Sequence, residues 1–253
     1  MASRKEEKER LRRERLRAEE GERVAQRRRR AIQLGSVAVL GALVIVAVLI
    51  AVSQSGGGGG STDIQGAADV ESLLQGIPQR GTTLGEPGAK VTIVEYGDLQ
   101  CPVCKQYSET VIPDLIKGPV RSGVAKLEFR NWVIIGPESM DAAKAALAAS
   151  RQGRYWTYIE LFYRNQGQEN SGYVTDEFMT AVAKAAGVPD LQRWDSDRAS
   201  GRWDAAIAAD ASEAQRYGFS GTPSFVVAGP GGTQPLGTPG SAAAIERAIK
   251  AVG

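Results

Sequence analysis

Cys101 and Cys104 are the two cysteines of a 253-residue chain, and they stand three positions apart within "VEYGDLQCPVCKQYSETVIPDLI", residues 94–116. Three chemistries are open to thiols at that spacing. A structural zinc site takes four ligands, and with no histidine in the chain the pair would need a partner chain or carboxylates to complete the set. A structural disulfide closing so short a segment removes little chain entropy and stabilises weakly. A redox dithiol fits the residues best. Pro102 suits the first position of a helix, which puts Cys101 at the helix N-terminus, where unpaired N–H groups and the macrodipole favour a thiolate. Such placement in a Cys-x-x-Cys pair lowers a thiol from about 8.5 to between roughly 3.5 and 7.5. Cys104, one turn on, lies on the same side but deeper. Cys101 is then the attackable sulfur and Cys104 the resolving one, with no further thiol in the chain to divert the exchange.

The elements that must hold this pair can be read on either side of it. "AKVTIVEY" is rich in β-branched residues and reads as a buried strand. The cysteine helix should run to Gly118, kinked or split at Pro113. "VAKLEFRNWVII" alternates and then turns apolar, which makes a second strand. From about residue 139 to 218 only helical periodicity appears, with Thr175 as a capped start and Gly187 before Pro189 as a stop. Strand signals return at "PSFVVAG", Gly231 and Gly232 turn the chain, and "SAAAIERAIKAV" forms a final helix. This is an α/β unit interrupted by an all-helical insert. Tyr155, Trp156, Tyr158, Phe162 and Tyr163 have mostly one-sided helical spacing and read as packed core rather than a ligand box.

The N-terminal flank has a different character. Residues 1–30 carry 13 Lys or Arg and 7 Glu, a net of +6; the remaining 18 basic and 22 acidic residues give −4. A mildly acidic body lacks the clustered positive charge that phosphate-backbone binding needs, so nucleic acid is not expected as a partner. No ionisable residue occurs from Ala31 to Thr62, and "AIQLGSVAVLGALVIVAVLIAV" is 22 residues long, enough to cross a hydrocarbon core that takes about 20. A cleaved signal peptide is the rival reading, with Ala51 and Ser53 spaced like a cleavage site. The apolar run exceeds the usual signal core of about 7–15 residues, and this favours an uncleaved anchor. Arg27 to Arg30 abut the span, and no positive charge follows it until Arg80; by the positive-inside bias the N-terminus stays cytoplasmic and the body is exported. The expected organisation is a charged tail over 1–30, a transmembrane helix over 31–53, a Gly-rich tether over 54–82 with a reach of roughly 30 Å, and a folded domain over 83–252.

"VTIVEYGDLQCPVC", "RQGRYWTYIELFY" in the insert and "GTPS" before a strand together resemble the DsbA-like branch of the thioredoxin superfamily, exported thiol–disulfide oxidoreductases, over roughly residues 83–252. The resemblance implies a thioredoxin-like α/β fold with a helical insert, no bound cofactor and no metal. It implies that Thr222 and Pro223 form a cis-proline loop against the active-site sulfurs, pairing with substrate backbone. It implies that Glu95, six residues before Cys101, is a buried carboxylate that exchanges the proton of Cys104; its place between Val94 and Tyr96 in an apolar run also favours burial over the alternative, a solvent-facing strand residue. The departure is the dipeptide Pro102-Val103: the most oxidising members carry a histidine there, and Val103 brings no charge to a Cys101 thiolate. The expected activity is disulfide formation in exported proteins with free cysteines, with reoxidation by a membrane redox partner in the bacterial plasma membrane. A reductase or isomerase, or a tethered non-catalytic peptide-binding module, are the alternatives.

Overall fold

The computed structural model describes residues 63–253. The charged tail 1–30, the apolar span 31–53 and the glycine run of the tether lie outside the described residues. The later part of the expected tether is folded, which corrects its boundary. Helix α1 spans Ala67–Leu74, and β1 (Gln79–Arg80) pairs with β2 (Thr83–Leu84) as a short hairpin. Val70 and Leu74 are buried, with Leu73 and Ile77 packed beside them. Val70, Leu73 and Leu74 make one apolar stripe of this short helix, with Ile77 just beyond its end, a pattern too brief to stand out beside the glycines before it.

Strand β3 (Val91–Gly97) is followed by α2 (Pro102–Thr110), α3 (Ile112–Leu115) and a π-helical turn over Ile116–Val120. The break expected at Pro113 falls between Thr110 and Ile112. The expected stop at Gly118 does not occur. Pro119 has no N–H to donate, and the chain coils on in a wider turn, with Arg121 N donating to Ile116 O at 3.0 Å. Strand β4 (Ala125–Asn131) returns parallel to β3 and alternates strictly, Ala125, Leu127, Phe129 and Asn131 inward.

Five helical segments follow: α4 (Pro137–Ser150), α5 (Tyr155–Arg164), α6 (Asp176–Ala185), α7 (Leu191–Ala199) and, after a 3₁₀ turn, α8 (Asp204–Arg216). Thr175 caps α6 by accepting from Phe178 N at 3.1 Å, and Gly187, at φ 66°, ends it. Asp190 caps α7 in the same way, accepting from Arg193 N at 2.9 Å. Beyond the insert, β5 (Ser224–Gly229) and β6 (Gly232–Gly237) form a hairpin and α9 (Ala242–Val252) closes the domain. The sheet order is β1-β2-β4-β3-β5-β6.

β3 lies at the centre and is covered on both sides. Val91 and Ile93 join the large core with Leu127, Phe129, Phe225 and the helices α2, α5 and α9. Val94 and Tyr96 point the other way, to Val226, Trp132 and Ala214 of α8. The aromatic helix α5 is core, as expected from its composition, but on every side rather than on one face. Phe129 of the sheet meets Trp156 and Tyr163, while Tyr158 and Phe162 meet Trp194 and Phe178 of the other helices. A helix apolar all round is a helix buried all round.

Candidate active site

The site forms where β3 runs out. A Cβ on Gly97 would fall 2.5 Å from the ring of Phe129, so glycine here leaves room for that ring against the end of the strand. The chain then turns over Asp98–Cys101, and the buried Asp98 holds the turn. Its Oδ1 accepts from Gln100 N at 2.9 Å, its Oδ2 accepts from Ile134 N and Ile135 N at 2.8 and 2.9 Å, and its carbonyl accepts from Cys101 N at 3.0 Å. From the far end of α5, Gln166 donates to the carbonyls of Leu99 and Cys101 at 2.7 and 3.2 Å. Gln100 donates to Ser139 Oγ and accepts from Asn170 N, both at 2.9 Å. The loop is thus tied to β4 and to the helical insert before the helix begins.

Cys101 is the N-cap residue of α2 and Pro102 its first residue. Both thiols are free. Cys101 is 5% exposed and Cys104 fully buried. The two sulfurs have opposite electrostatics. The Cys104 thiol hydrogen-bonds to Cys101, and this, with the Thr222 side chain and the main-chain N–H groups of Cys104 and Val103, brings Cys101 down to about 6 against the opposing effect of burial. Burial, then the same hydrogen bond and the Cys101 and Glu95 charges, push Cys104 well above a free thiol. Near neutral pH the pair is one thiolate at the rim and one thiol beneath it. That is the charge state thiol–disulfide exchange requires.

The strand register brings the distant loop here. β5 runs antiparallel to β3, with Ser224 opposite Tyr96 and Phe225 opposite Glu95, so residues just before β5 lie beside those just after β3. The Thr222–Pro223 peptide is cis, the Cys101 Sγ lies 3.4 Å from Thr222 O, and Thr238 Oγ1 donates to Pro223 O at 2.7 Å. Pro102 and Val103 are exposed, Val103 by 41%.

Glu95 shares the face of β3 with Val91 and Ile93, the side on which α2 packs, and it is 2% exposed. Burial first, then the Glu160 and Cys101 charges, push its carboxyl well above the usual carboxylate range. The sequence reading missed Glu160 itself, 1% exposed, whose Oε2 accepts from Ser108 Oγ at 2.9 Å. A lone carboxylate inside "YWTYIELFY" was the available signal. Asp98, Gln100 and Gln166 carried no comparable signal, because their partners lie 36 to 70 residues away.

A thioredoxin-type sheet, a Cys-x-x-Cys pair opening a helix and a facing cis-proline loop define a thiol–disulfide oxidoreductase. The family model described as thioredoxin matches residues 79–250. The chain is 29% identical over 151 residues to the "Probable disulfide bond formation protein D" of Bacillus cereus, covering 58% of this chain and 69% of that protein. A 163-residue stretch is 31% identical to part of a Na(+)/H(+) antiporter of Mycolicibacterium gilvum, 62% of this chain but 25% of the antiporter. Among solved structures, oxidised BdbD from Bacillus subtilis superposes with a TM-score of 0.60 at 22% identity, covering 69% of this chain and 95% of that one. A thioredoxin-like oxidoreductase from Silicibacter pomeroyi gives 0.56 at 28% identity, covering 71% and 95%. The chain belongs to the thioredoxin family and is a DsbA-like protein disulfide oxidoreductase.

Proposed function

We propose that the chain forms disulfides in exported proteins while anchored in the bacterial plasma membrane by its N-terminal span, with the tail cytoplasmic and the dithiol outside. A client thiolate attacks the Cys101 sulfur of the oxidised enzyme, the Cys101–Cys104 bond breaks, and Cys104 leaves with the electron pair and takes a proton from Glu95. A second client thiolate attacks the client sulfur of the mixed disulfide and expels the Cys101 thiolate. Two electrons have then passed from the client to the enzyme, and a quinone-linked membrane redox partner removes them. Thr222 and Pro223 present main chain to the extended client, as in β-augmentation. No bound cofactor enters the cycle.

The observation that carries the direction of exchange is the low Cys101 thiol over the buried Cys104. A stabilised thiolate favours the reduced enzyme and so makes the disulfide a better oxidant. The uncharged Val103 supports the second reading, a reductase or isomerase, because it adds nothing to that stabilisation. Similarity to part of a membrane antiporter supports a domain that works at a membrane. The deciding measurement is the equilibrium of the full-length protein with glutathione, together with oxidation of a reduced, unfolded client. A potential as reducing as about −270 mV, that of thioredoxin, with no client oxidation would sink the oxidase reading. A pair that neither equilibrates with glutathione nor exchanges would leave only the peptide-binding alternative. For topology, protease added to spheroplasts should remove the body and leave a short internal tail, whereas a free body beginning near Gln54 would mean that the span is cleaved.

A further inference from the structure

We propose that Glu160 is the second carboxylate of a buried proton-handling pair with Glu95, and that Ser108 couples it to the helix carrying Cys104. The inference rests on the reading of Glu95 as the proton partner of Cys104. Glu160 is the one acidic residue of α5, a helix that apart from Thr157 is otherwise aromatic and aliphatic up to its last residue, Arg164. Its carboxylate accepts from the buried Ser108, which stands four residues after Cys104 on the same face of α2. A neutral amide would satisfy Ser108 equally well, and an ionisable group costs more to bury. A carboxylate here therefore calls for a use.

The surrounding charges give the pair a direction. Cys101, Cys104, Lys105 and Glu109 face the region from α2, Glu95 from β3, and Tyr163 and Arg164 from α5, with Asp69 of α1 reached through Arg164. Glu95 has Glu160 and Cys101 as charged neighbours. Glu160 has Arg164 and Glu109, both of which reach solvent. Burial lifts Glu160 to about 7, with the Ser108 hydrogen bond and Arg164 holding it down, while burial and then the Glu160 charge raise Glu95 well above the usual carboxylate range. Once Glu160 is ionised, its charge favours the proton staying on Glu95. When Cys104 leaves as a thiolate, Glu95 gives it that proton and becomes a carboxylate beside another carboxylate. Two like charges so placed are unfavourable, and a proton from solvent returns through Glu160. One proton enters for each Cys104 thiol formed, and no electrons move on the carboxylates.

The test uses the full-length protein in detergent, with Glu160→Gln, Ser108→Ala and Glu95→Gln. Two quantities are read: the rate at which dithiothreitol reduces the disulfide across pH, corrected for its thiolate fraction, and the protonated-carboxyl band in the reduced-minus-oxidised infrared difference spectrum. The wild type should show an inflection near pH 7. Glu160→Gln should abolish that inflection and move the Glu95 band to titrate at lower pH, since the neighbouring charge is gone. Ser108→Ala should move the inflection to higher pH. A folded Glu160→Gln that keeps the inflection and leaves the Glu95 band in place overturns the pairing, even if Glu95→Gln is slow. A silent Glu95→Gln overturns this inference and the reading beneath it together. If Glu160→Gln does not fold, an unmoved inflection in Ser108→Ala is sufficient to reject the coupling.

Discussion

The sulfur of Cys101 lies 3.4 Å from the main-chain carbonyl oxygen of Thr222, a residue 121 positions later in the chain. The antiparallel pairing of β5 with β3 enforces that approach. A carbonyl there accepts from the thiol but repels the thiolate. The ionised form therefore depends on donors, first the Cys104 thiol, then the Thr222 side chain and the N–H groups of Cys104 and Val103.

The Cys104 thiol is the largest of these influences, so removing it should be visible in Cys101. In Cys104→Ala, the midpoint for Cys101 alkylation should rise from about 6 toward the ~8.5 of a free thiol. Cys104→Ser, which keeps a hydroxyl donor, should lie between. Thiolate ultraviolet absorbance against pH measures both, and an unmoved midpoint in Cys104→Ala would assign the effect to the Thr222 side chain and the helix N–H groups instead.

Val103 is exposed beside Cys101, so a histidine there can be accommodated without repacking. Val103→His should lower the Cys101 midpoint further, and a drop of about one pKa unit corresponds to a pair about 30 mV more oxidising. Titration against glutathione redox buffers reads the potential directly. A potential that stays put or falls would mean that the dipeptide does not act on the thiolate.

What the sequence made legible, and what it did not, divides on the range of the interactions. β3, α2 and α9 follow from local patterns: a β-branched run, Pro102 at a helix start, and small and apolar residues at helical spacing before Gly253. β6 reads Gly-Thr-Gln-Pro-Leu-Gly and has no alternation to find; it is a strand because β5 lies beside it. α7 is polar over most of its length and is held by Trp194, whose indole N–H donates to Ala145 O at 2.8 Å. Within the site, the residue types and spacing of the dithiol could be read directly. The scaffold of Asp98, Gln100, Gln166 and Glu160 could not, because each acts on a segment that only folding brings near.

Asp98 is the residue of that scaffold whose loss should be most damaging. Asp98→Ala leaves the N–H groups of Gln100, Ile134 and Ile135 without their acceptor. A destabilisation of about 2–5 kcal/mol is expected, read as a lower urea midpoint at unchanged m-value. Client oxidation should fall as well, because the same carboxylate fixes the turn that presents Cys101.

Stability should also depend on pH in a way that differs between redox states. Glu160 is raised by burial to about 7, so the stability associated with its protonated form is complete below its unfolded value of about 4.3 and is lost as pH rises through 7. The full effect is roughly 3 kcal/mol, and Glu160→Gln should flatten it. Cys101 acts with the opposite sign in the reduced protein alone. Its thiol is lowered, so its contribution is present above the free-thiol value and lost as pH falls through about 6. Glu160 should therefore lower urea midpoints as pH rises from about 5 to about 7 in both redox forms, while Cys101 raises them between about pH 6 and 8.5 in the reduced form alone; identical profiles for the two forms would contradict the Cys101 assignment.

Gly97→Ala tests the close approach of the Phe129 ring to the end of β3. The added methyl carbon would lie 2.5 Å from Phe129 Cζ and 3.3 Å from Tyr163 Oη, both buried in the core. Overpacking of this kind costs about 1–3 kcal/mol. Phe129→Leu in the same background should recover part of the loss, which thermal unfolding of the two variants would reveal.

The two margins of the sheet bear on a hazard that comes with handling unfolded chains. Nascent proteins expose strands, and a strand finding an open sheet margin can seed co-aggregation. Here one margin is β1, two residues long, and the other is β6, which carries Pro235 in its ladder and glycine at each end. Proline offers no donor to an incoming strand, and a two-residue strand gives too little length to template one. Under the function proposed above, extended clients would then dock at the Thr222 loop, and the fold would separate brief capture for chemistry from lasting entanglement.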